Sequence, residues 1–418
     1  LKIIKTASSH VEFLLLQVTI QVIQFGTGIF IIRSLTKEEY GSYFLTTSIL
    51  AMIDVLATSG LAAGVNKIVS PILHDKAASS IVFNTFFSTR KQAAWFSMSI
   101  LIPIGAFLLF KQQVSPLKIC TLSICLIISS LCRLDLDLII HPLKIFGLFT
   151  QINRISTKAN LIGTPLTILL IFIWPTAESL LLAASFISIL QNYDCKKILK
   201  PLVDYSAKID RPIQKLLIKS YLTLLPNSIY YGIQGQISAF VLGTFGKVQH
   251  VAELGALSRL GRAYSAIGTY QQSVLTPRFT RAKTAQEWRK SFLIAMLFSV
   301  CIALATIAAM GIFPHPFLFL LGKTYYGMEK ELFWVSVGMG QELLIGQVVQ
   351  ANFARGWIYW SSRLQIFASI TGMVVGACIF DLSSVSGVIQ MGVLSRLPAL
   401  IVQIFDLIGG YQELRRHE

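Results

Sequence analysis

The sequence predicts an all-α, polytopic integral membrane protein of about twelve transmembrane helices in two six-helix bundles. Three observations predict it. Apolar residues make up 54% of the 418 residues and charged residues only 13%, about half the roughly 25% of a soluble domain. The apolar residues come in blocks of about twenty, the length that crosses a bilayer as a helix, and not in the alternation of an outer-membrane barrel. The charges are lopsided, with 36 Lys and Arg against 20 Asp and Glu. This composition excludes a disordered chain and a disulfide-rich secreted module. It leaves too little polar surface for a water-soluble enzyme.

Twelve runs follow one another: 11–33, 41–65, 93–110, 117–138, 159–175, 178–193, 218–243, 254–276, 291–313, 332–353, 364–381 and 386–408. The first is a full span with no small-residue cleavage site after it, so no cleavable signal peptide is expected. Leu1 in place of Met points to a non-standard start or a shortened N-terminus. The fifth and sixth runs are short, and Pro175 with Glu178 makes the break between them. The sixth and seventh are separated by 194–219, the longest and most basic hydrophilic stretch, with six runs on each side. The expected parts are therefore an N-terminal bundle over 1–193, a basic cytoplasmic linker over 194–217 and a C-terminal bundle over 218–418.

Charge sets the expected orientation. With the N-terminus cytoplasmic, the cytoplasmic segments hold 25 Lys and Arg and the external ones 7. This is the bias of an even number of helices with both termini inside. Most of the basic excess then reports topology and implies no nucleic-acid partner. Trp95, Trp174, Trp288, Trp334, Trp357 and Trp360 lie near run ends, the headgroup depth that indole favours. The six cysteines lack metal-ligand spacing, and their expected role is packing.

The central basic stretch prompts a search for a duplication. Glu39-Tyr40-Gly41 and Glu253-Leu254-Gly255 align at an offset of 214. Each stands at the start of the second span of its half. Parallel repeats of this kind place a central cavity between the halves.

The stretch Arg33-Ser34-Leu35-Thr36-Lys37-Glu38-Glu39-Tyr40-Gly41 resembles the R-x-L-x-x-x-x-Y-G signature of the polysaccharide transport proteins. These include the O-antigen flippases of the multidrug/oligosaccharidyl-lipid/polysaccharide exporter superfamily. Gly255-Ala256-Leu257-Ser258-Arg259-Leu260 is similar to that family as well. The resemblance implies alternating access by two bundles in a bacterial inner membrane. It implies export of an undecaprenyl-diphosphate-linked oligosaccharide, an O antigen or related repeat unit, from the cytoplasmic to the periplasmic leaflet. Expected partners are this lipid-linked substrate, membrane lipids, a coupling proton or sodium ion, and a polysaccharide polymerase.

Charge inside a span is costly and tends to face protein or water. Arg259 and Arg262 share a face, extended by Ser265, Thr269 and Ser273. Two guanidiniums suit a diphosphate, and snorkelling to headgroups is the bland alternative. Arg396 lies about ten residues into the last span, with Glu342 as its natural partner. Gly338 and Gly346 flank Glu342 and admit a close helix. Asp54, mid-span and flanked by Thr47 and Thr58, is the first candidate for ion coupling, with Glu342 second. A helix–helix hydrogen bond is the rival reading of Asp54. Arg133 and Asp137 are spaced to pair along one helix. Gln17, Gln21 and Gln24 form a stripe suited to sugar hydroxyls or to helix packing.

No P-loop, H-E-x-x-H or G-x-S-x-G motif occurs, and the histidines read as scattered in loops and termini. No enzyme, cofactor or metal site is expected. A multidrug antiporter of the same superfamily is the main rival. It predicts an acidic cavity for cationic drugs, against the arginines found. A polymerase predicts a large periplasmic loop, which is absent.

Overall fold

The computed structural model describes the backbone of residues 2–58, 60–270, 279, 280, 282 and 284–416. Among the described residues it is all-α, with fourteen helices and no strand. They are α1 (Lys2–Ser34), α2 (Lys37–Thr58), α3 (Leu61–Val69), α4 (Lys76–Lys111), α5 (Pro116–Ile145), α6 (Phe149–Ile173) and α7 (Ala177–Leu199). After a non-helical strap come α8 (Arg211–Phe245), α9 (Val248–Tyr270), α10 (Ala285–Ile312), α11 (Pro314–Leu321), α12 (Glu329–Arg355), α13 (Ser361–Ile379) and α14 (Val385–Arg416). All twelve apolar runs fall on these helices. The second run is shared by α2 and α3, and the end of the eighth lies outside the described residues. Among the described residues nine stretches are long and apolar enough to cross a membrane. Val22, Phe107, Phe172, Leu297 and Phe367 stand 59–75% exposed. Such a surface is stable against lipid tails and not against water. The chain is a multi-pass membrane protein.

Local chemistry sets the ends. Asp75 accepts from the Ala77 and Ala78 N–H groups and starts α4. Thr176 accepts from Ser179 N–H and starts α7, so the short fifth and sixth runs are two separate helices. Helix α4 begins well before the apolar run at 93, because Asp75 caps it and Ser79, Ser80 and Thr85 satisfy their hydroxyls on its own carbonyls. Trp95 is therefore near the middle of α4 and not at a helix end. Trp288 also departs from expectation. It is 3% exposed, stacked on Phe292 at 5.1 Å and packed on Trp357 at 4.9 Å. Aromatic contact outweighs the headgroup there.

The first compact unit is Leu1–Thr244 and the second Phe245–Glu418. Within the first, α6 packs on α7, α5 on α7, α4 on α5, and α2 on both α5 and α7. Within the second, α13 packs on α14, α12 on α14, α10 on α12, and α9 on both α12 and α14. Several of these pairs recur at matching places in the two units.

Helix α8 goes with the first unit for polar reasons that hydropathy cannot register. Near its start, Asn84 Nδ2 of α4 donates to the carbonyls of Asp204 and Ala207, both at 2.9 Å. At its end, Gln112 Nε2 donates to the carbonyls of Leu242 at 3.2 Å and Gly243 at 2.7 Å. Between them Gly60 and Gly64, four residues apart, bring the backbone of α3 onto Leu217 and Ser220 of α8. Asn84→Ala removes both bonds to the strap. It should lower stability by about 1–2 kcal/mol, read as a lower thermal midpoint of the purified protein. An unchanged midpoint would assign the strap to its apolar contacts alone.

Candidate functional site

The charged residues of the first unit meet where α2, α4 and α5 pack. Asp54 and Thr58 lie one turn apart on α2. Arg133, Asp137 and His141 lie at four-residue spacing on α5, hence on one face. Arg90 reaches in from α4. Arg133 Nε stands 2.9 Å from Asp54 Oδ2, and Arg90 Nη2 stands 3.2 Å from Asp137 Oδ2. Arg90 also donates to the Thr58 hydroxyl at 2.8 Å, and that hydroxyl donates to the Asp54 carbonyl at 2.8 Å. The result is two cations and two anions linking three helices.

This corrects two expectations. Asp54 is not a lone carboxylate, and Arg133 pairs across helices to Asp54 rather than along α5 to Asp137. The reason is geometric. An along-helix pair needs only spacing, but here Asp137 faces Arg90, which is nearly fully buried and has the greater need of a counter-charge. Arg90 was counted with a cytoplasmic loop by hydropathy, and His141 with the scattered histidines. His141 is inside α5, its ring 5.2 Å from that of Phe86. The signal that finds both is the four-residue ladder Arg133-Asp137-His141, which requires a partner helix rich in charge.

The Glu39 of the family-like motif acts as a staple. Its carboxylate accepts from Lys118 Nζ of α5 and, at 3.0 Å, from the Ala177 N–H that opens α7. Tyr40 beside it is fully buried. The Gln17 amide oxygen accepts from Asn153 of α6 at 3.2 Å, an interhelical contact. Gln21 is half-buried and Gln24 exposed.

In the second unit, Arg396 of α14 meets Glu342 of α12 at 3.5 Å and donates to the Gly338 carbonyl at 3.1 Å. The expected pair forms, and both side chains keep substantial exposure. A Cβ at Gly338 would meet Val393 of α14 at 3.5 Å, whereas Gly346 has open space around it. The close approach comes instead from Gly372 and Gly376 of α13, which lie against the backbone of α14 at Ser395 and Met391. Asn352 of α12 donates to Gln403 of α14, which donates to Gln365 of α13. Asp406, an intramembrane acid not singled out in the sequence, caps α13 by accepting from the Trp360 and Ser361 N–H groups at 2.7 and 2.8 Å. Arg259 is buried on α9. The side chains of Arg262, Ser265, Thr269 and Ser273 lie outside the described residues. Among the described residues no group of His, Cys, Asp and Glu is arranged to hold a metal ion.

The described residues define a class of fold, a polytopic helical protein of two units in which several helix pairs recur. Solved structures narrow it. A multidrug resistance MATE family transporter of the MOP superfamily, inward-facing, is similar with a TM-score of 0.68 and 15% identity over 94% of each chain. The lipid II flippase MurJ, inward closed, is similar with a TM-score of 0.69 and 10% identity over 96% of this chain and 89% of that one. A MOP-superfamily transporter from Pyrococcus furiosus, described as having a binding pocket of reversed polarity, is similar with a TM-score of 0.58 and 16% identity over 97% and 94%. No family model and no curated protein matches the sequence. The chain has the fold of the MOP-superfamily transporters.

Proposed function

We propose that this protein is a flippase of the bacterial inner membrane, with both termini cytoplasmic. It moves an undecaprenyl-diphosphate-linked oligosaccharide, an O-antigen or related repeat unit, from the cytoplasmic to the periplasmic leaflet by alternating access. The halves 1–193 and 218–418, joined by 194–217, act as the two bundles, although α8 clusters with the first compact unit, Leu1–Thr244. The observation that supports this reading is the arginine set of the second unit, where Arg396 stays partly exposed beside Glu342 and Arg259 lies on α9. With Arg262 they offer the donors that a diphosphate needs. In this reading Arg259, Arg262 and Arg396 hold the diphosphate, and Gln17, Gln21 and Gln24 face sugar hydroxyls. Asp54 and Glu342, each already set against an arginine, exchange that partner for a proton or sodium ion during the cycle. A polysaccharide polymerase takes the product. No enzymatic step is required of the chain.

The test is a strain lacking the gene, which should accumulate lipid-linked oligosaccharide on its cytoplasmic side. The variant carrying Arg259→Gln, Arg262→Gln and Arg396→Gln, expressed at normal amounts, should fail to clear it. Full clearance would overturn the cationic site. The likeness to MATE transporters supports a second reading, a multidrug antiporter. It predicts raised drug sensitivity and no accumulated oligosaccharide in the same strain.

A further inference from the structure

The strap between α7 and α8 has a feature that transport of any substrate leaves unexplained. It is fixed in place, and its cations have no carboxylate partner among the described residues, although Lys197 stands over the Tyr193 ring at 4.0 Å. Besides the two bonds from Asn84, the Asp204 N–H donates to Ser80 Oγ at 2.8 Å and the Asp210 N–H to Thr85 Oγ1 at 3.0 Å. Leu199, Val203 and Leu217 are buried in the core of the first unit, and Tyr205 stacks on Phe87 at 6.2 Å. A loop held by four polar contacts to one helix, and by buried apolar residues on either side, is a built surface and not a tether.

The acids of this segment are all occupied. Asp194 pairs with Lys158 at 2.8 Å. Asp204 turns inward onto the N–H and hydroxyl of Ser206, and these donors hold its carboxyl below the usual carboxylate range. Asp210 caps α8 by accepting from Ile213 N–H at 2.9 Å. Lys196, Lys197, Lys200, Lys208, Arg211, Lys215 and Lys219 are all exposed, and none forms an ion pair with a carboxylate among the described residues. Those on α7 sit in its last turn, where the helix dipole favours cations. Arg211, Lys215 and Lys219 do not have that explanation. They repeat every four residues on one face at the start of α8, and Arg211 stands in the first turn, where the dipole disfavours a cation. Their charge faces outward and is available to an external anion. Ile209 and Leu216, both more than half exposed, stand among these cations. A surface offering both to its surroundings matches a headgroup layer with acyl chains beneath it.

We infer that the α7–α8 strap is a docking surface for anionic phospholipid headgroups. The lysines and Arg211 engage the phosphates, and Ile209 and Leu216 enter the acyl boundary. The pinning of the strap to α4 holds the cations in fixed register with the first unit.

The test uses the full chain released from membranes of mixed lipid and examined by native mass spectrometry for retained lipid. The wild type should keep phosphatidylglycerol in preference to phosphatidylcholine. A variant with Lys196, Lys200, Lys208 and Lys215 all changed to Gln should lose most of that preference. Each basic residue near an anionic surface is worth about 1 kcal/mol, or roughly fivefold, so the combined loss is well within detection. Arg289→Gln with Lys290→Gln, exposed cations on α10, should leave the preference unchanged. An equal fall in both variants would overturn the inference, as would full retention in the first. Displacement of the lipid by millimolar inorganic diphosphate in the wild type would also overturn it, by making the ligand a soluble phosphate. None of these readouts depends on which substrate is carried.

Discussion

Asp54→Asn is expected to abolish clearance of the lipid-linked substrate while the protein still accumulates and folds. The argument rests on the unequal burial of the two ion pairs. Arg133, which faces Asp54, is half exposed. Losing a partner at such a position costs less than at an enclosed one, because the guanidinium left behind is not walled in by protein. The fold should therefore survive. The coupling should not, because in the proposed cycle Asp54 exchanges Arg133 for an ion, and an amide cannot carry that charge. Arg90→Gln gives the contrast. Arg90 is nearly fully buried between Thr58 and Asp137, so its loss should reduce the amount of folded protein first, by about 1.5–3 kcal/mol for a charged hydrogen-bond partner. The decisive variant exchanges the charges, Asp54→Arg with Arg133→Asp. It should restore the bridge and the protein level but not clearance. Recovery of both would make the pair a structural bridge and remove Asp54 from the coupling role.

Gly60→Leu should eliminate monodisperse protein. A Cβ at Gly60 would stand 2.2 Å from the Ser220 carbonyl oxygen and 2.8 Å from its carbon. Both are backbone atoms of α8, so no rotamer change relieves the clash. Helix α8 would have to move off α3, also stripping Leu217 from the core. A cost of about 3 kcal/mol is expected, the upper part of the overpacking range. Gly346→Leu is the matched control, since nothing stands within 4 Å of a Cβ there. Size-exclusion profiles of the two purified variants check the pair of expectations. A normal profile for Gly60→Leu would mean that α3 and α8 are less closely apposed than their backbones indicate.

These two sites show what is legible in one dimension. Asp54 was marked from sequence because a charge among apolar residues is conspicuous wherever it points. Its partner was not, since Arg133 sits 79 positions away in the chain and the nearer Asp137 fits the spacing rule. Arg396 and Glu342 were matched correctly, as each was the conspicuous charge of its helix. Arg90 was missed because adjacent Lys91 made the pair look like a loop. Gly60 and Gly64 carry a four-residue spacing that can be read from sequence, but nothing along the chain says which helix comes close. The Trp288 cluster was missed for the same reason, since Phe279, Trp357 and Tyr411 join it only in three dimensions.

What the sequence determined by itself is the class and the places along the chain where helices form. Apolar blocks of bilayer length can satisfy their backbone groups only as helices. That constraint is local, so helices formed at every run. Only the tertiary structure decided the pairing of the charges, the assignment of α8 to the first unit and the anchoring of the strap. Each depends on side chains such as Asn84, Gln112 and Arg90 meeting groups more than thirty residues away. In a low-dielectric interior a buried polar group must find whichever partner packing brings near. Chain spacing does not encode that choice.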